Sequence, residues 1–178
     1  GMHVGLITND QAPELVDTAF LSHSMAQVSE VSGSCFCCNF QGLLDAASKL
    51  RSESEIDLIL AEPVGSCTDL SATIIQPLKE HFHQDFEVGP LSVIIDPQRL
   101  SDILHGGTAG LHPSAAYIFE KQIEEADIIV INKTDLLTTV ELEELKSKVL
   151  EAFPDASISA VSAKKGEGLD VWLDDVTI

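Results

Sequence analysis

The sequence predicts a three-layer α/β fold, a mostly parallel sheet between layers of helix. Two observations predict it. Short β-branched runs are apolar on successive residues, and they alternate along the chain with longer segments of helical periodicity. Successive rather than alternate apolar residues mark strands buried on both faces, as in a sheet covered by helices. Strand–helix alternation with right-handed crossovers then builds the layers.

The predicted strands, in order, are Val4–Thr8, Ile56–Ala61, Leu91–Ile95, Ile128–Ile131 and Ser157–Val161. Four helices are predicted from apolar stripes at helical spacing. Gln41–Arg51 carries Leu43, Leu44, Ala47 and Leu50. Ser66–His83 carries Leu70, Ile74 and Leu78. Pro113–Ala126 carries Tyr117, Ile118 and Ile123, and Val140–Ala152 carries Leu142, Leu145, Val149 and Leu150. In such sheets chemistry collects in the loops that follow the strand C-termini.

Composition narrows the partners. The 178 residues suit one domain with a sizeable core. Ten Lys and Arg against 29 Asp and Glu give a formal charge of −19. Such a chain repels phosphate backbones, so neither nucleic acid nor an anionic membrane is expected as a partner. No apolar run approaches the ~20 residues of a membrane span, and no secretory signal opens the sequence. The expected location is cytoplasmic. Gly1 before Met2 reads as a tag-cleavage remnant. The four cysteines are Cys35, Cys37, Cys38 and Cys67. Three within four residues are too close to staple distant parts of a fold, which suggests metal or redox chemistry.

The loop after the Ile128–Ile131 run reads Asn132-Lys133-Thr134-Asp135. A carboxylate at Asp135 can accept hydrogen bonds from both the N1–H and the exocyclic amine of guanine. Adenine presents an acceptor at the ring position, and a buried polar group left unpaired penalises the wrong base. The Lys133 stem can lie along the base while its ammonium stays wet. Asn132 can tie the loop to its neighbours. The next strand ends in Ser162-Ala163-Lys164, followed by Gly166 and Gly168. There a backbone N–H can serve the guanine oxygen. Two such motifs, in order and both at strand ends, outweigh a reading as polar helix caps.

After the Ile56–Ala61 run stands Glu62-Pro63-Val64-Gly65. An acidic residue at such a strand end holds Mg²⁺ in nucleotide hydrolases, and a glycine lets backbone N–H approach a terminal phosphate. An ordinary strand-ending turn has the same composition. Gly33 precedes Ser34-Cys35-Phe36-Cys37-Cys38. Thiolates bind borderline and soft metals such as Zn²⁺, Co²⁺ or Ni²⁺. The Cys-x-Cys spacing brings two sulfurs together and supplies part of a tetrahedral shell, leaving an acidic residue, a His or a second protomer to complete it, and an incomplete shell suits a site that passes metal on. Buried inert thiols and a redox pair remain alternatives. Cys67, just past the Glu62 loop, is within sequence reach of the cluster. His81 and His83 read as surface residues at a helix end, and His105 and His112 as weak ligand candidates.

Together these residues resemble the CobW/HypB/UreG family of metallochaperone GTPases, and within it the CobW-like branch. The resemblance rests on Thr8-Asn9-Asp10, Gly33 to Cys38, Glu62 to Gly65, the Val93–Asp96 strand, Asn132 to Asp135 and Ser162 to Lys164. It implies a P-loop-NTPase-like domain that uses GTP to deliver Zn²⁺, Co²⁺ or Ni²⁺ to a metal-dependent client enzyme or cofactor. By that resemblance Asp10, Glu62 and Gly65 would lie near Mg²⁺ and the γ-phosphate of GTP. Cys35, Cys37 and Cys38 would form the metal motif. Asn132, Lys133, Asp135, Ser162, Ala163 and Lys164 would hold the guanine of GTP or GDP.

Two departures qualify it. No G-x-x-x-x-G-K-S/T occurs in the sequence, and Pro63 stands where the family has Ser or Thr. The expectation is one incomplete nucleotide-binding domain over residues 1–178, lacking the first strand, phosphate loop and first helix, and without the larger C-terminal domain. Weak or absent GTP binding and hydrolysis follow, because that loop supplies the phosphate-binding N–H groups and the lysine. A missing central strand would expose sheet edges and favour a homodimer. A non-hydrolysing metal-binding or interaction module is the alternative function.

Overall fold

The computed structural model describes residues 2–10, 27–53 and 55–177; the Asp10 side chain lies outside that set. The chain divides into two compact units, Gly1–Gln76 and Pro77–Ile178. Each has its own three-stranded parallel sheet.

The first unit runs β1 (Val4–Asp10), β2 (Gln27–Ser32), α1 (Phe40–Glu53) and β3 (Leu58–Glu62). Its strand order is β2-β1-β3, so β1 is central. Ile7, Thr8 and Asn9 of that central strand are buried. Asn39 caps α1, its side-chain oxygen accepting from the Gly42 N–H at 3.0 Å. Leu43, Leu44, Ala46, Ala47 and Leu50 then bury one face of the helix. The helix predicted over 66–83 starts later and changes pitch. Ser71–Ile75 is π-helical, and the Gln76 N–H reaches five residues back to the Ser71 carbonyl. Pro77 explains the widening: its ring would strike the carbonyl four residues back in an α-helix, and it has no N–H to donate. The run continues as α2 (Gln76–His81).

The second unit runs β4 (Ser92–Ile95), α3 (Pro97–Leu104), α4 (Pro113–Glu124), β5 (Ile128–Ile131), α5 (Thr139–Ala152), β6 (Ser157–Ala160) and α6 (Leu169–Val176), with β5 central in the order β4-β5-β6. All four residues of β5 are buried. Ile129 and Ile131 join a cluster with Leu100 of α3, Ile123 of α4, and Leu145 and Val149 of α5. Ile128 and Val130 point the other way, packing with Val161, Val176 and Trp172. This unit therefore has the expected three layers, with helices on both faces. Parallel α/β architecture is confirmed throughout.

The outer strands do not share that burial. In β3 Ala61 and Glu62 are exposed, and Ile94 of β4 is 58% exposed. Both strands lie at the edges of their sheets among the described residues. Three elements escaped prediction. Strand β2 has only Val28 and Val31 apolar, three residues apart, so it shows neither the continuous run nor the alternation that marks a strand. Helices α3 and α6 are one turn shorter than the stripe that periodicity needs. No helix among the described residues is long and apolar enough to cross a membrane.

Candidate functional site

The cysteine turn belongs to the first unit and hangs on Asn9. That residue is buried near the end of β1, and its side-chain amide is fully used. Its nitrogen donates to the Val31 carbonyl at 2.9 Å and to the Ser34 carbonyl at 2.8 Å. Its oxygen accepts from the Phe36 N–H at 2.9 Å. Gly33 turns the chain out of β2 in the left-handed region, at φ +85°. Phe36 buries its ring, while the cysteines on either side of it stay half-buried. A helical turn follows, with the Cys38 and Asn39 N–H groups both donating to the Cys35 carbonyl. Burial of the aromatic residue between two cysteines thus turns both thiols to one side.

The Cys35 and Cys37 sulfurs lie 2.9 Å apart, hydrogen bonded to each other. The sulfurs of Cys35, Cys37 and Cys38 all fall within 4.8 Å of one another. Metal–sulfur bonds of about 2.3 Å in a tetrahedron space the sulfurs by about 3.8 Å. The three thiols fit a borderline-soft divalent ion. The hydrogen bond from Cys37, helped by Cys38, lowers the Cys35 thiol to about 7. The same interaction holds Cys38, which hydrogen bonds to Cys35, up at about 11. Cys35 therefore ionises before Cys38.

Cys67, within sequence reach of this cluster, is brought to it. It lines the same cavity, about 560 Å³, as Gly33, Ser34, Cys35 and Cys37. Burial first, then the neighbouring Cys35 and Cys37, push its thiol up to about 12. Glu62 is exposed at the end of β3, level with Thr8, and Gly65 is exposed in the loop beyond. Asp10 ends β1 opposite Ser32, and its side chain lies outside the described residues. Carboxylates at adjacent strand ends suit a hard cation by type. The sequence within these 178 residues holds no G-x-x-x-x-G-K-S/T to fit a triphosphate.

The two loops expected to read guanine belong to the second unit and interlock. Lys133 takes the left-handed conformation at φ 59°. Asn132 anchors the bend: its N–H donates to the Ile95 carbonyl at 2.9 Å. Its side-chain oxygen accepts from the Lys133 N–H at 2.7 Å and from the Ala163 N–H at 3.0 Å. The fully buried Ser162 hydroxyl donates to Asp135 Oδ1 at 2.6 Å. That bond, with Lys165 and Lys164 nearby, holds the Asp135 carboxyl below the ordinary carboxylate range. A carboxylate oxygen has two acceptor sites, so Asp135 can keep Ser162 and still take a guanine N–H. A guanine oxygen would compete with Asn132 for the Ala163 N–H. Lys164 is exposed.

Asp96 escaped prediction as part of this network. Its Oδ2 accepts from the Lys133 ammonium at 2.9 Å. Its Oδ1 caps α3 through the Gln98 and Arg99 N–H groups. Asp-Pro after an apolar run is a legible helix start, and the lysine partner is not. Lys133 chiefly, by this hydrogen bond, lowers the Asp96 carboxyl. The histidines play local parts: His112 caps α4 by accepting from the Ser114 N–H, and His105 ties to the Ser101 carbonyl.

Parallel α/β architecture with helices on both faces of the second unit's sheet defines the class: a domain of the P-loop-NTPase-like fold. The chain belongs to the CobW/HypB/UreG family, whose nucleotide-binding-domain model matches residues 1–160 and so runs through both units. Membership gives it a metal-related role of the GTPase type. Solved structures share the fold at low identity. HypB from Helicobacter pylori in complex with nickel is 14% identical, with a TM-score of 0.65 over 97% of this chain and 72% of that one. The hydrogenase maturation factor HypB from Archaeoglobus fulgidus is 21% identical, with a TM-score of 0.58 over 97% and 73%. The Zn(II)-bound YjiA GTPase from E. coli is 16% identical, with a TM-score of 0.51, and the match covers 88% of this chain and 56% of that one.

Proposed function

We propose that this chain handles a transition metal as cargo for a metal-dependent client protein, under the control of guanine nucleotide. The observation that carries the reading is the set of three thiols within 4.8 Å in a family member. Cys35, Cys37 and Cys38 bind Zn²⁺, Co²⁺ or Ni²⁺, which suits their softness. Asn132, Lys133, Asp135, Ser162, Ala163 and Lys164 receive guanine. Asp10, Glu62 and Gly65 face the Mg²⁺ and phosphate end. The family match through both units supports treating them as parts of one nucleotide-binding domain.

Without a phosphate-loop motif among its residues, this polypeptide by itself binds GTP weakly and hydrolyses it negligibly. Losing an arginine finger alone slows such enzymes by ~10³–10⁵. Calorimetry of the 178-residue chain with Zn²⁺, and separately with GTP and Mg²⁺, tests both halves. Stoichiometric Zn²⁺ binding that is lost in a Cys35→Ser, Cys37→Ser, Cys38→Ser variant supports metal handling. Zn²⁺ binding unaffected by those substitutions refutes it. Tight, Mg²⁺-dependent GTP binding overturns the second half.

A further inference from the structure

We propose that Cys35 and Cys37 are a redox pair: a hydroperoxide oxidises them to a disulfide inside the turn, and the disulfide takes the turn out of its metal-binding state. The bond stands on the thiol geometry alone. Its effect on metal rests on the metal reading of the turn.

The contact between the Cys35 and Cys37 sulfurs, at 2.9 Å, carries the proposal. Sulfurs that share one tetrahedral ion stand about 3.8 Å apart, and bonded sulfurs about 2.05 Å. The pair lies midway, so a movement of about 0.9 Å reaches either state. The frame around it is already closed. Phe36 is buried between the two cysteines, with its N–H held by Asn9. The Cys38 and Asn39 N–H groups both donate to the Cys35 carbonyl, at 3.0 and 2.9 Å. Bringing the sulfurs together therefore requires no further loop closure, and two groups held this way react as an intramolecular pair.

The neighbouring thiols are worse partners. Cys37 and Cys38 are adjacent, and Cα atoms across one trans peptide stand about 3.8 Å apart, short of the roughly 4.4–6.8 Å that a disulfide prefers. Cys67 is buried on a different loop. Cys35 and Cys37 are partly exposed and line a cavity of about 560 Å³. A water molecule takes about 30 Å³ of the liquid, so a small hydroperoxide has room beside the pair.

The step balances with the peroxide as oxidant. One sulfur of the pair attacks a peroxide oxygen, the O–O bond breaks, and water or an alcohol leaves with the thiol proton. That sulfur becomes a sulfenic acid, having given two electrons to the peroxide. The second sulfur attacks it, the S–O bond breaks, and the hydroxyl leaves as water with the second thiol proton. An S–S bond remains. A dithiol reverses the change by exchange: its own sulfurs end joined, and its two protons pass to Cys35 and Cys37. In the oxidised turn only Cys38 is left as a thiol, so peroxide releases the ion or bars its entry.

The test uses the whole metal-free chain and a modest excess of hydrogen peroxide. Free thiols are alkylated in denaturant. The remainder are then reduced and alkylated with a second reagent, and tandem mass spectrometry locates both labels. Thiols should fall from four per chain to two. Cys38 and Cys67 should carry the first label, and Cys35 and Cys37 the second. This readout needs no variant; Cys38→Ser should form the same disulfide. Four thiols retained, a second label on any other pair, or oxidation to sulfinic acid without a second label overturns the proposal. Calorimetry with Zn²⁺ then reads the consequence. Oxidised wild type should lose its Zn²⁺ binding and regain it after dithiothreitol. A disulfide-bonded chain that binds Zn²⁺ as well as the reduced chain overturns the metal switch. If the reduced chain itself binds no Zn²⁺, the metal reading fails, and the labelling result alone decides the redox pair.

Discussion

The Asn9 side chain donates to the Ser34 carbonyl across 25 residues of sequence, at 2.8 Å, and the same amide receives the Phe36 N–H. A single buried residue on the central strand thus holds the cysteine turn by both ends. The metal candidate site is a property of β1 as much as of the cysteines themselves.

Asn9→Ala should therefore cost more than a surface change. It strands two carbonyls and one N–H in a buried setting, and about 2–4 kcal/mol of destabilisation is expected. Urea unfolding of the metal-free chain measures this. Zn²⁺ affinity should fall in parallel, since the thiols lose their frame. A variant as stable as wild type, with Zn²⁺ affinity intact, would show that the turn holds itself.

Thiol reactivity should separate the cysteines by pH. Cys35 sits at about 7 and Cys38 at about 11. Only the thiolate attacks iodoacetamide. Alkylation of Cys35, followed by mass spectrometry, should rise through pH ~7 and level off above it, while Cys38 is still protonated at pH ~8. Cys37→Ser weakens the hydrogen bond that lowers Cys35, and the inflection should move up toward the ordinary value of 9.0. Saturating Zn²⁺ should suppress the reaction. An inflection that stays put in Cys37→Ser would count against that cause.

Ser162→Ala removes the hydroxyl from Asp135 and should destabilise the chain by about 1–2 kcal/mol. Asp135 has a folded pKa below its ordinary 3.8. Its contribution is thus present above that value and is lost as pH falls through the lower folded pKa. The stability gap between wild type and Ser162→Ala should accordingly narrow in strong acid. A gap independent of pH down to pH ~2 would mean that the bond does not depend on the carboxylate charge.

Two neighbouring glycines should respond differently to alanine. Both adopt positive φ, +72° at Gly166 and +73° at Gly168. A Cβ at Gly166 meets nothing within 4 Å, so only the conformation is penalised, by about 1–2 kcal/mol. At Gly168 it would stand 2.3 Å from the Ala160 carbonyl oxygen. Backbone must move there, and Gly168→Ala should cost clearly more than Gly166→Ala in thermal melts. Equal costs would mean that the loop shifts freely.

Asp96→Ala should exceed Lys133→Ala in its effect on stability. The half-exposed ion pair is worth at most about 1 kcal/mol, whereas Asp96 also caps α3, worth about 1 kcal/mol more. Denaturant midpoints of the two variants decide this, and a Lys133→Ala loss as large as the Asp96→Ala loss would contradict it.

Local pattern determined much of this protein by itself. Strand β5 coincides with its prediction because four consecutive β-branched residues leave no ambiguity when both faces are buried. The Asn132–Asp135, Ser162–Lys164 and cysteine motifs were visible because each lies in a short contiguous run. Strand β2 and helices α3 and α6 were not, since a short strand with two apolar residues three apart, or two turns of helix, carries too little periodic signal. Only the tertiary structure decided what distant residues do together. Parallel pairing of β1 with β2 brings Asn9 to the cysteine turn, and the loop after β3 brings Cys67 to the same cavity. Likewise, parallel β5 and β6 set Asp135 on Ser162, and β4 sets Asp96 on Lys133. These contacts join residues separated by at least one strand crossover. Strand register fixes them, and a linear pattern of apolar and polar residues does not encode register between distant segments.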